Sequence, residues 1–175
     1  MNESQEFAVP SAKSTLTGGA RFENRDTLFS RITPCLENGK ICQVKNLENG
    51  KGFGSTEFLV FRGKENVSIN DFVYYLSRFN EVRSFAEKNM SGTSGRQRVN
   101  KDAFANLELE LPPIEEQKEI AEILSSLDDK IELNWQMNAT LEAMARAMFK
   151  AWFVDFEPVR ANMENRPSES ASPEI

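Results

Sequence analysis

The chain has 175 residues, of which 39% are apolar and 27% are charged, a composition typical of a globular protein rather than a disordered or membrane-spanning one. It has no His and only two cysteines, Cys35 and Cys42, which excludes His-dependent nucleophiles, imidazole bases and His metal ligands. The net charge of −6 is uneven: residues 1–112 carry +1 and residues 113–175 carry −7, so the acidic total does not exclude nucleic-acid binding by the first part.

The first part of the chain predicts a small mixed α/β unit. A strand over Thr27–Thr33 is expected to stop at Pro34, and an Asn-Gly turn leads into a second strand at Ile41–Val44. The same turn string recurs at Leu47–Lys51, before a further strand at Glu57–Phe61. We interpret this order as a meander of hairpins.

A helix is predicted next, with Ser68 as its N-cap, Asp71 in its first turn and its end near Lys88. Its apolar positions recur at spacings of three and four: Phe72, Tyr75, Leu76, Phe79 and Val82. A loop is expected at Ser91–Gly95 and a last short strand at Leu107–Leu111.

The chain changes character at Pro112-Pro113, where Pro113 suits a first helical position. No Pro or Gly follows until after Trp152, and one series of positions alternates strictly by four and three. We call this series the seam: Ile120, Leu124, Leu127, Ile131, Asn134, Asn138, Leu141, Ala145, Met148 and Trp152. The pattern predicts a coiled-coil helix about 54 Å long that needs a second helix to cover its seam.

Asn134 and Asn138 lie in the middle of the seam. Either they pair with polar groups of a partner and fix the register, or the helices separate there and both amides contact water. Residues 1–17 are polar and small and are expected to be either poorly ordered or a remnant, and residues 157–175 are predicted to form a disordered tail. The N-terminus lacks signal-peptide character, so a cytoplasmic bacterial-type protein is expected.

Two kinds of motif could indicate catalysis, but each has a simpler structural interpretation. The string Gly50–Gly54 lacks the spacing of a nucleotide-binding loop, and the Glu37/Lys40 and Glu48/Lys51 pairs read as turn flanks rather than as half of a metal nuclease site. We therefore expect no enzymatic activity and no metal site.

The loop that begins at Gly92 carries residue types suited to DNA. Its glycines allow close approach, its hydroxyls and Gln can donate to a nucleic acid, and its arginines can pair with phosphates or guanine. The candidate DNA-binding residues are Arg31, Lys40, Thr93, Ser94, Arg96, Gln97 and Arg98. The alternative is an ordinary solvated loop.

Longer strings in the chain are recognisable. They are Leu111-Pro-Pro-Ile-Glu-Glu-Gln-Lys-Glu-Ile120, Leu127-Asp-Asp-Lys-Ile-Glu-Leu-Asn134 and Ala143-Met-Ala-Arg-Ala-Met-Phe-Lys-Ala-Trp-Phe-Val-Asp-Phe156, with Gly19-Ala-Arg-Phe22, Asp26–Lys40 and Ser94–Val99 upstream. Over residues 18–160 the chain resembles type I restriction–modification specificity subunits. The first three strings match the family's conserved helical region, and the upstream strings match the later half of its target recognition domain.

The resemblance implies an α+β protein with a partial DNA target recognition domain at 18–112 and a long dimerisation or spacer helix at 113–156. It implies a non-catalytic scaffold that binds one half of a bipartite double-stranded DNA target. Its implied partners are methyltransferase and motor-nuclease subunits, which would carry S-adenosylmethionine, ATP and Mg. One recognition domain and one helix suggest a half-length form that homodimerises through its helix, antiparallel as in the family. The alternative is a remnant that makes only protein–protein contacts.

Overall fold

A computed structural model describes residues 18–93 and 95–168 and confirms the α+β class. The chain divides into two compact units, residues 1–124 and residues 125–175. The predicted N-terminal segment 1–17 lies outside the described residues.

The central strand of the first unit is β2 (Thr27–Ser30), all four residues of which are buried. It pairs antiparallel with β3 (Ile41–Gln43) on one side and with β5 (Phe58–Phe61) on the other, while β1 (Ala20–Glu23) pairs with β4 (Lys51–Gly54). The predicted meander of hairpins is therefore wrong, because β5 returns to β2 rather than pairing with its chain neighbour. A strand whose side chains are buried on both faces of the sheet is expected at the centre of the sheet, between two neighbouring strands.

The connection from β2 to β3 is a helical turn rather than a tight hairpin. The N–H of Leu36 donates to the carbonyl of Ile32 at 2.9 Å, and the N–H of Asn38 donates to that of Pro34 at 2.9 Å. Leu36 is fully buried in the core, which explains why this connection folds inward. Gly39, with a φ of +65°, ends the turn in the left-handed conformation that glycine favours.

The glycines of β4 make room for an aromatic ring. A Cβ on Gly52 would lie 2.2 Å from the ring of Phe22 on the paired strand. The string Gly50–Gly54 thus comprises the last residue of a turn and strand β4.

The single helix predicted from Ser68 to Lys88 is two helices, α1 (Asn70–Arg78) and α2 (Asn80–Lys88). They are separated at Phe79, whose ψ of 140° is extended. The predicted cap is also wrong: Ile69 is the N-cap, and the Ser68 hydroxyl instead accepts a hydrogen bond from the N–H of Lys64.

The core of the first unit combines sheet and helix residues. Its buried members are Phe29, Leu36, Ile41, Leu59, Ala86 and Val99. Phe104 packs its ring against those of Phe29 and Phe61 at centroid distances of 5.8 and 5.1 Å. Phe104 belongs to a 3₁₀ helix, Lys101–Asn106, that follows a short hairpin of β6 (Met90–Ser91) and β7 (Arg98–Val99).

The predicted strand at Leu107–Leu111 does not form. Leu107 and Leu109 are half-buried and Glu108 and Glu110 are exposed, so the burial alternates as the sequence does. The segment nevertheless belongs to none of the described sheets, because alternation specifies which side chains are covered and not whether a neighbouring strand is present.

Helix α3 (Ile114–Phe149) is 36 residues long and begins one residue after Pro113. Its first turns, as far as Leu124, belong to the first compact unit, and the domain boundary at 112–113 stays a prediction. Gln117, which is fully buried, attaches the start of the helix to the rest of the first unit. Its amide donates to the carbonyls of Val67 at 2.9 Å and Pro112 at 2.8 Å and accepts from the N–H of Ile69 at 3.2 Å.

The second unit contains the rest of α3, a π-helical turn at Lys150–Val154 and α4 (Glu157–Met163). Lys150 forms an ion pair with Asp155 across the turn. Ala161 of α4 is 1% exposed, so residues 157–163 form packed structure where a disordered tail was predicted. Within the described residues, no helix has the length and apolar character needed to cross a membrane.

Candidate nucleic-acid interface and partner helix

Basic residues lie together at one end of the three-stranded sheet. Because β2 is antiparallel to both neighbours, its C-terminal end lies beside the starts of β3 and β5. The N–H of Arg31 donates to the carbonyl of Glu57 at 3.0 Å, and the N–H of Ser30 donates to that of Lys40 at 3.2 Å. The sheet therefore brings the predicted residues Arg31 and Lys40 to the same end.

The β6–β7 hairpin joins this end of the sheet. Ile32 forms a bridge with Arg98, and the N–H of Val99 donates to the carbonyl of Arg31 at 2.9 Å. Gln97 is held from both sides, since its N–H donates to the Thr33 hydroxyl at 3.1 Å and its carbonyl accepts from the Thr33 N–H at 3.1 Å. We call the set Arg31, Lys40, Arg96, Gln97 and Arg98 the basic end.

Arg98 is bound by a carboxylate that sequence reasoning missed. Its Nε lies 2.9 Å from both carboxylate oxygens of Glu57, and its Nη2 lies 2.9 Å from Oε1. The Arg98 hydrogen bond lowers the pKa of Glu57, more than burial raises it, and the charges of Arg98 and Arg31 lower it further. No sequence signal indicates this pair, because the two residues are 41 positions apart.

The remaining candidates differ in their surroundings. Arg31 is half-buried, and within the described part of the chain its Nε has no hydrogen-bond partner. Thr93 and Arg96 are exposed in the hairpin loop, and the N–H of Arg96 donates to the carbonyl of Thr93 at 3.0 Å. A Cβ on Gly92, whose φ is +129°, would lie 2.9 Å from the Arg96 carbonyl oxygen, so this loop needs glycine. Ser94 lies outside the described residues.

The solvent exposure of the seam residues changes along α3. Ile120 and Leu124 are half-buried within the first unit, whereas every seam position from Leu127 onward is exposed. The exposed fractions of the large apolar members are 56% for Leu127, 45% for Ile131, 56% for Leu141, 55% for Met148 and 47% for Trp152. Asn134 and Asn138 are exposed as well, and Trp152 lies in the π-helical turn rather than in the α-helix predicted to include it.

Apolar side chains also lie outside the seam. Exposed members on other positions of the helix are Ile123, Leu133, Trp135, Met137, Met144 and Phe149. A contiguous exposed apolar surface of this extent is uncommon on a monomeric protein.

The described residues, 18–93 and 95–168, hold no group of three or more Cys, Asp or Glu side chains that could bind a metal ion.

Comparisons with known proteins agree with these features. Residues 15–143 match the family described as the type I restriction modification DNA specificity domain. The chain is 40% identical over 141 residues to the type I restriction enzyme HindI specificity subunit of Haemophilus influenzae, a stretch that covers 79% of this chain and 30% of that relative. It is 32% identical over 132 residues to the EcoAI specificity subunit of Escherichia coli, covering 74% of the chain and 22% of the relative.

An archaeal relative matches a shorter stretch. The MjaIX specificity subunit of Methanocaldococcus jannaschii is 35% identical over 92 residues, which are 53% of this chain and 21% of that protein. The chain thus spans less than a third of the length of each of these three relatives.

Proposed function

We propose that this chain, which belongs to the type I restriction modification DNA specificity domain family, is a non-catalytic DNA-recognition protein. The family match over residues 15–143 carries the proposal, because it includes the whole basic end and much of the exposed part of α3. The names of the relatives describe specificity subunits of restriction enzymes. In such a role the chain binds the DNA site, and other subunits catalyse the reactions.

The DNA-contacting surface in this proposal is the basic end, with Thr93 of the adjoining loop; Ser94, which lies outside the described residues, stays a predicted contact. Arg31, Lys40 and Arg96 supply positive charge for phosphates, and Gln97 and Arg98 supply donors for base edges. The support is their common position at one end of the sheet. One such surface per chain suits one half of a bipartite target.

The partner surface is the exposed part of the seam together with the apolar positions beside it. A second copy of the chain would cover the seam, and an antiparallel pair would carry two recognition surfaces related by a two-fold axis. The apolar positions outside the seam leave area for a methyltransferase subunit, with a motor-nuclease subunit joining the same complex. S-adenosylmethionine, ATP and Mg would then belong to those partners, and the location would be cytoplasmic.

An alternative is that the chain makes only protein contacts, either with itself or with an intact specificity or methyltransferase subunit. The observation that favours it is the extent of the exposed apolar surface on α3, which would bind helices whether or not the first unit binds DNA.

A gel-shift series across salt concentrations, with and without the methyltransferase subunit, separates the two functions. DNA recognition predicts a complex that prefers one sequence over a scrambled duplex and weakens steeply with salt. The protein-contact alternative predicts assembly with the methyltransferase subunit but equal, weak binding to both duplexes.

A further inference from the structure

The two arginines of the hairpin have different electrostatic surroundings. Arg96 is exposed and forms no ion pair with any described residue, whereas the guanidinium of Arg98 is bound by Glu57 through three N···O distances of 2.9 Å. A free arginine attracts phosphate through its charge. An arginine paired with a carboxylate is close to neutral as a unit and attracts phosphate less.

The geometry of the pair leaves one side of Arg98 available. Glu57 contacts the Nε and Nη2 side of the guanidinium, and among the residues that the structure describes none forms a hydrogen bond or ion pair with Nη1. Five N–H groups are arranged around a planar guanidinium, so the Nη1 and Nη2 hydrogens on the far side still point outward in parallel. The Arg98 side chain is 44% exposed, so the pair with Glu57 does not enclose it.

We propose that Glu57 is a positioning residue that holds Arg98 as a reader of guanine, while Arg96 binds phosphate. This inference rests on the proposed DNA-recognition function. A guanine presents O6 and N7 as two adjacent acceptors in the major groove, and they match an arginine fork in spacing and plane. Glu57 fixes the plane of the fork from the side and lowers the affinity of Arg98 for phosphates elsewhere along the DNA.

The position of Glu57 supports this role. Its carbonyl accepts from the N–H of Arg31, so its backbone is tied to the end of β2. Arg98 is tied to the neighbouring residue Ile32 of the same segment. Both members of the pair are therefore attached to one rigid sheet end, which keeps a recognition fork in a fixed direction.

The test selects preferred sites from a random-sequence duplex pool with the full chain assembled with its methyltransferase subunit, and measures bulk duplex affinity across a salt series. Arg98→Lys keeps the charge and removes the fork. It should reduce the preference for guanine at one position of the site by roughly ten-fold and leave the salt slope unchanged. Arg96→Gln should weaken binding to all sequences and make the slope shallower by about 0.9.

Glu57→Gln is the decisive variant, because it preserves size and releases the charge of Arg98. It should weaken the same guanine preference and steepen the salt slope by about 0.9, the value of one added phosphate contact. Glu65→Gln is the matched control: it removes the same charge from an exposed residue beyond the opposite end of β5, and should leave the guanine preference unchanged.

The outcomes distinguish this inference from the function on which it rests. Wild-type protein that selects a site, together with Glu57→Gln or Arg98→Lys variants that select the same site equally well, overturns the positioning role and leaves DNA recognition intact. Wild-type assembly that selects no sequence refutes DNA recognition, and the inference falls with it.

Discussion

Leu141→Asp should break self-association through α3. Leu141 is 56% exposed, so about half of its side chain is still available for burial by a partner helix. Full burial of a leucine contributes about 1.5–3 kcal/mol, so the remaining half is worth ~1 kcal/mol in each copy and ~2 kcal/mol in a symmetric dimer. Loss of this term alone weakens the dimer ~30-fold, and burial of two carboxylates adds to the loss.

Sedimentation velocity across a protein concentration series measures this effect. The matched control is Leu133→Asp, because Leu133 lies on the same helix with a similar exposed fraction of 53% but outside the seam. If the seam forms the dimer interface, the wild type and the control should be dimers, and Leu141→Asp should be a monomer over the same concentrations. A wild-type monomer at micromolar concentration, or equal dissociation of both variants, would refute it.

Three further expectations concern the first unit. Gln117→Ala should destabilise it by about 2–4 kcal/mol in urea unfolding, because the variant loses the three hydrogen bonds that the buried Gln117 amide makes with the backbone. Burial raises the pKa of Asp71, but hydrogen bonds from Arg25 and Gln43 outweigh this and hold it below its ordinary value of 3.8. Asp71→Asn should therefore lower stability at neutral pH, and the difference should shrink as pH falls below 3.8 and the wild-type carboxylate protonates. Burial raises the pKa of the Cys42 thiol to about 12, so a Cys35→Ser variant should react with a thiol reagent only on unfolding.

Each of these three predictions would be contradicted by one specific result. For Gln117 it is a loss no larger than that of Lys118→Ala, an exposed neighbour on the same turn. For Asp71 it is a stability difference that is constant with pH. For Cys42 it is rapid labelling of the folded Cys35→Ser variant.

Local periodicity predicted the elements that depend on local sequence. The 36-residue helix α3 was predicted because its apolar residues recur at helical spacing without Pro or Gly. The break at Phe79 was not, because the residues around it continue the same spacing and only the backbone of Phe79 departs from the helix. Chain order favoured hairpins, whereas the partner of β5 was decided by the burial of β2.

The residues of the candidate site likewise differ in whether the local sequence could identify them or only the folded structure could. Residue type and glycine content indicated Arg96 and Arg98 in the loop, and the sheet supplied the reason that Arg31 and Lys40 lie at the same end. Glu57 could not be identified in this way. A glutamate at the start of a predicted strand carries no sign of its partner until the fold brings the β6–β7 hairpin beside β5.

The central claim is that the first unit recognises a DNA sequence through its basic end. The most direct measurement is the affinity of the full chain, mixed with the methyltransferase subunit proposed as its partner, for its selected duplex and for a scrambled duplex of equal length. The account expects a clear preference that Arg98→Lys reduces and Glu65→Gln preserves. Equal affinity of the wild-type assembly for both duplexes at every salt concentration would contradict it.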